Sequence, residues 1–156
     1  MYLGNNMSTS TKVGQLSYGS AALPDRVFVT EFEACRYPKD RFRHADHIRL
    51  AWIYIRENNY ATAEDRMRRS IPRFAQAAGA GQKYHETMTI AWMRLVRVAS
   101  HLSARIATFE EFAQAHSWLL KKDAIFEFYS PERLLSDSAR TNWIEPDLKS
   151  LPNVGG

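Results

Sequence analysis

The sequence predicts an all-α, single-domain helical bundle of about five to six helices, on three observations. After Pro24, apolar residues recur at three- and four-residue spacings. Capping residues and glycine or proline stops punctuate those runs. No internal repeat and no second composition zone divides the chain. The 156 residues, 45% apolar and 24% charged, suit one globular domain with a real core.

Residues 1 to about 23 are rich in Ser, Thr, Gly and Asn without periodicity and read as a disordered leader. The helical domain is placed over 24–150, and 151–156 are expected to form a flexible tail. Val27, Phe28, Val29, Phe32, Ala34 and Cys35 give a first stripe ending before Pro38, although Val27-Phe-Val-Thr30 is also strand-like. The second helix, His44 to about Asn58, carries Ala45, Ile48, Ala51, Trp52 and Ile55 on one face, and Asn58-Asn59 stops it. Thr62 then reads as the N-cap of a third helix through Met67, Ile71, Phe74 and Ala78. Gly79-Ala-Gly81 ends it, and Pro72 should kink or break it.

A fourth helix is expected from about Tyr84 to Ser103, burying Met88, Ala91, Trp92, Leu95, Val98 and Leu102. Thr108-Phe-Glu-Glu111 is a capping-box signature for a fifth helix. Ser130-Pro131-Glu132 opens a last helix running to about Asn142.

Short connections favour antiparallel neighbours, so the second and fourth helices should run parallel. His44 and His47 then meet His85 and Glu86 at one end of the bundle, where the fifth helix also delivers Tyr129. His44 and His47, three residues apart, project from one face and could share a ligand, with His85 as a third nitrogen donor. Glu86, about 100° around the helix from His85, would be a general base rather than a co-ligand. Asp46 is placed to orient a neighbouring His.

Three readings of this cluster stand side by side. The histidines hold a divalent metal of the Zn or Fe type, with an open position for water or substrate and Glu86 as base. Alternatively, a metal-free pocket uses His85 and Glu86 for acid–base work or ligand orientation, walled by Trp52, Tyr84 and Tyr129. Lastly, the cluster is a hydrogen-bond network tying helices together in a non-catalytic interaction or accessory protein, such as a homodimer. Arg140 either pairs locally with Ser136 or Asp137 or turns inward as an anion clamp.

Composition narrows the partners. The net charge of +4 is scattered, and its densest cluster, Arg66, Arg68, Arg69 and Arg73, lies beside Glu64 and Asp65 without interleaved aromatics. It reads as a solvated helix face, not a nucleic-acid surface. No run approaches the roughly 18 apolar residues of a membrane span. The single Cys35 cannot form an internal bridge, which suits a reducing cytoplasm. Phosphate-loop, C-x-x-C, G-x-S-x-G and H-E-x-x-H patterns are missing from the sequence.

Three segments, FRHADHIRLAWIYIRE, KYHETMTIAWMRLV and FYSPERLLSDSARTNWIEPDLKSLP, together resemble a group of small uncharacterised bacterial all-helical proteins. That group carries H-x-D-H-x-R-L-A-W and K-Y-H-E-T helix starts and a closing S-x-x-A-R … P-D. The resemblance covers roughly residues 27 to 150. Its matching positions here are His44, Asp46, His47, Arg49, Tyr84, His85, Glu86, Thr87, Ser136 and Arg140. It implies that the three segments act as one unit and carries no activity with it.

Overall fold

The computed structural model describes residues 23–155, so the expected leader lies outside the described residues apart from Leu23. Those residues are all-helical, with α1 (Asp25–Glu33), α2 (His44–Glu57), α3 (Tyr60–Ala77), α4 (Glu86–Leu102), α5 (Phe109–Ala115), α6 (Pro131–Leu134) and α7 (Asp137–Thr141). The helices α2, α3 and α4 pack against one another, α1 lies on α3, and α7 lies on α4.

The central helix, α2, is fixed at both ends by its own sequence. At its start Asp46 Oδ2 accepts the Arg43 N–H at 2.8 Å, satisfying a backbone donor that the helix cannot. Asp46 therefore caps its own helix, a different task from the expected orientation of a histidine. Ile48, Leu50, Ala51, Trp52, Ile53 and Tyr54 are all buried, so α2 is covered nearly all round. Arg49 is buried with them, donating to Asp25 Oδ1 at 2.7 Å and the Leu23 carbonyl at 2.6 Å and lying over Phe28. It ties the entry of α1 to α2.

The turn into α3 takes no extra residue. Asn58 ends α2, and Asn59, rather than the expected Thr62, is the N-cap of α3, its side chain accepting the Thr62 N–H at 2.9 Å. An Asn side chain places an acceptor over the N3 amide, so the helix begins one turn early. It runs through Pro72 to Ala77 as one helix, so of the expected kink or break the break does not occur. A polar link joins the first three helices: Tyr54 donates to Glu33 Oε2 at 2.6 Å and lies 3.2 Å from Ser70 Oγ, while Arg66 Nε donates to the same Glu33 oxygen at 2.8 Å. The other arginines of α3 are engaged too, Arg68 with Glu64 and Glu86, Arg69 with Asp65, and Arg73 with the Glu33 carbonyl.

The second half departs further from the expected bundle. In α4 the buried set is Thr87, Ile90, Ala91, Met93, Leu95, Val96 and Ala99, and Leu102 is 74% exposed. The fifth helix is only seven residues long, and two 3-10 turns, Ser117–Leu120 and Lys122–Glu127, replace its expected continuation. Ser136 divides the expected last helix: its hydroxyl donates to the Arg133 carbonyl and accepts the Ala139 N–H, starting α7 as a new N-cap.

After α7 the chain crosses back over the core. Thr87 Oγ1 donates to the Asn142 carbonyl at 2.6 Å, Tyr129 donates to the Ile144 carbonyl at 2.8 Å, and Asp147 accepts from the Ser130 amide and hydroxyl. Leu151 packs against the core, so the expected tail is anchored at its beginning. No helix among the described residues is long and apolar enough to cross a membrane.

Candidate functional site

The expected meeting of the first turns of α2 and α4 is present, and it encloses a cavity. The last turns of α3 complete the wall, as an up-down-up arrangement requires. The cavity measures about 670 Å³ and is lined by His44 and His47 of α2, Met67, Ile71, Phe74 and Ala75 of α3 with Ala78 just after it, and Met88, Thr89 and Trp92 of α4, with Tyr84 and His85 just ahead of it. Phe42, Gly79, Ala80, Lys39 and Lys83, on the turns entering and leaving these helices, finish the rim. Its size falls within the roughly 300–1,000 Å³ of small-molecule sites.

The space exists because the end of α3 lacks bulk. Ala75, Ala78, Gly79 and Ala80 occupy the stretch where the stripe begun by Met67, Ile71 and Phe74 would otherwise be filled by large side chains. Gly79 takes φ +76°, the left-handed turn that stops α3, with its N–H on the Gln76 carbonyl and the Ala80 N–H on the Ala75 carbonyl.

The three histidines share the cavity but not one role. His85 is the N-cap of α4: its Nδ1 accepts the Met88 N–H at 3.1 Å, and its Nε2 lies 2.8 Å from the Leu134 carbonyl. A carbonyl only accepts, so Nε2 carries the proton and both ring nitrogens are spent. His44 likewise donates from Nε2 to the Leu119 carbonyl at 2.8 Å, leaving Nδ1 as its acceptor, and its ring stands edge-on to Trp92. His47 packs edge-on against Phe42 and makes no hydrogen bond among the described residues.

All three rings are held in the neutral form. Burial pushes His47 down to about 4, with the neighbouring His44 adding to the effect. Burial also lowers His44 and His85, against the carbonyls they donate to, and the charges of Lys122 and Arg140 act in the same direction as burial.

Several expected site residues are relocated. Glu86 is not on the cavity wall: Arg68 binds its Oε2 through Nε and Nη2, and the Tyr84 hydroxyl donates to its Oε1 at 2.7 Å. Held there away from the cavity, Glu86 does not stand where the expected catalytic base would act, and His85 has both ring nitrogens engaged and none left for the expected catalytic or metal-ligand role. Among the described residues no group of three or more His, Cys, Asp or Glu is arranged to hold a metal ion. The His44, His47 and His85 ligand set for a Zn- or Fe-type ion is therefore corrected: carbonyls and a backbone amide, not a shared ion, orient two of its three rings.

Of the expected ligand-binding residues, Tyr84 lines the cavity with its hydroxyl tied to Glu86. Trp52 lies eight residues up α2, packed against Phe109 and Phe112, and faces a separate cleft of about 540 Å³ shared with Arg56 and Arg97. Tyr129 is fully buried behind the returning chain. Arg140 reaches the Gln82 carbonyl at 3.4 Å and forms neither the expected local ion pair nor part of the cavity wall. The walls from α3 were recognisable only as a core stripe. The signal for the cavity was the run of small residues ending that stripe.

Compared with protein-family models, curated proteins and solved structures, the chain matches none.

Proposed function

We propose that the protein binds a small, flat, largely apolar molecule between α2, α3 and α4, and that His47 orients it. One observation carries this reading: a neutral imidazole with no hydrogen-bonding partner among the described residues stands in a cavity walled by aromatic and methionine side chains. A neutral His offers one donor and one acceptor, and on this half-buried ring both remain open to a molecule entering the cavity. Phe42, Phe74, Tyr84 and Trp92 offer faces and edges to a ring, and Met67 and Met88 adapt to its outline. The rest of the cluster serves the framework, because His85 and Glu86 join α4 to α6 and α3.

The test is a ligand-observed NMR screen of mono- and bicyclic aromatic compounds, including 2-naphthol, with two variants. Ala75→Phe fills the cavity and should abolish the contacts. His47→Phe keeps the ring and its packing on Phe42 but removes both nitrogens, and should weaken hydroxyl-bearing ligands about tenfold, about 1.4 kcal/mol. A panel with no binder, or binders indifferent to Ala75→Phe, overturns the reading.

A further inference from the structure

The charges around the cavity carry the reading one step further. Every charged residue on its wall is a lysine: Lys39 and Lys83 line it, and no Asp or Glu does. Each is exposed and makes no ion pair among the described residues, whereas Arg66, Arg68 and Arg69 along the neighbouring helix are each held by a carboxylate. Their placement is symmetrical in the fold. Lys39 belongs to the 3-10 turn Lys39–Arg41 ahead of α2, and Lys83 to the 3-10 turn Gly81–Lys83 ahead of α4, so the two parallel helices each bring one cation to the rim.

Asp40, next to Lys39 in the same turn, is exposed, lies outside the cavity lining and forms no ion pair with either lysine among the described residues. The carboxylates that open α2 and α4 are turned to other work. Asp46 is spent on the Arg43 amide and Glu86 on Arg68 and Tyr84, so neither answers the lysines. Inside, the neutral His44 and His47 add no charge. The surroundings thus present an apolar, aromatic interior and a cationic rim.

Resting on the binding reading above, we propose that the ligand is an aromatic carboxylate: its ring enters the cavity, and its carboxylate stays at the rim between Lys39 and Lys83. Keeping the anion at the exposed rim avoids the desolvation that burying it would impose, while the lysine stems can lie along the apolar edge of the cavity. Rim charges of this kind act through solvent, so their effect is modest and sensitive to salt.

The experiment is isothermal titration calorimetry with 2-naphthoate and its neutral isostere 2-naphthylmethanol, on the full chain and on Lys39→Gln/Lys83→Gln. The expected result is that the acid binds at least fivefold tighter than the alcohol at 20 mM salt. That gap should shrink at 300 mM salt and close in the double variant, with the affinity for the alcohol unchanged. Equal binding of acid and alcohol, or a gap that survives in the double variant, overturns this inference and leaves the binding reading standing. Binding by neither compound, in a protein whose NMR screen also yields no binder, overturns both. Melting curves of the double variant that match the parent confirm that the comparison reads charge and not folding.

Discussion

His85 carries two backbone groups on one ring, which makes it the residue whose substitution best separates framework from chemistry. It caps α4 through Nδ1 and holds the Leu134 carbonyl through Nε2. His85→Ala leaves the Met88 amide and that carbonyl without their partner and should cost about 2 kcal/mol, read as a lower denaturation midpoint. His85→Asn keeps a capping acceptor but cannot reach Leu134, and should recover about half of the loss. A fully stable His85→Ala would show that the ring is not part of the framework. The sequence brought His85 and Glu86 to one end of the molecule but left metal, acid–base and framework work open for them. Spacing along a helix tells which residues lie near each other, whereas the Leu134 carbonyl, 49 positions away, and Arg68 decide which atoms remain free.

Among the elements, the two helix ends that turn left-handed make a matched pair. The α3 terminus uses Gly79 at φ +76°, but the same motif at the end of α1 uses Cys35 at φ +60°, with its N–H on the Phe32 carbonyl and the Arg36 N–H on the Glu31 carbonyl. A side chain in that conformation costs roughly 1 kcal/mol relative to glycine. Cys35→Gly should therefore stabilise the protein by about 0.5–1 kcal/mol in urea denaturation, its thiol contributing only a 3.9 Å approach to the Arg73 carbonyl. The sequence located the stop after α1 through Pro38 but could not foresee a cysteine in a glycine's place. The elements from α1 to α4 were legible because each is a long stripe with a cap or stop of its own. The stretch from Ser117 to Glu127 was not, because its short 3-10 turns are set by what they pack on: Leu119 and Ile125 are buried, and Leu120 and Phe126 beside them lie half-buried against the core.

At the scale of the whole molecule, half-buried histidines held as neutral rings link stability to pH. His47 titrates near 4 in the folded protein against an ordinary value of 6.5. Between those values the unfolded chain takes up the proton that the folded one refuses, so the stabilising contribution is intact above 6.5 and is lost as pH falls towards 4. Partial exposure of the ring reduces the effect, leaving about 1–2 kcal/mol by pH 5. Denaturation curves of the parent and His47→Phe at pH 7.5 and 5 should show the variant losing less by that amount. Parallel losses would mean that the ring is solvated enough to titrate normally.

The cavity wall is drawn wholly from the 39–92 stretch, while the atoms that steady it come later: the Leu119 carbonyl on His44, the Leu134 carbonyl on His85, and residues 142–147 over Thr87, Tyr129 and Ser130. A chain cut after α4 would keep every residue of that wall but lose the two carbonyls that set the His44 and His85 tautomers. The order of the chain thus separates the residues that shape the space from the later ones that fix the direction of its polar atoms.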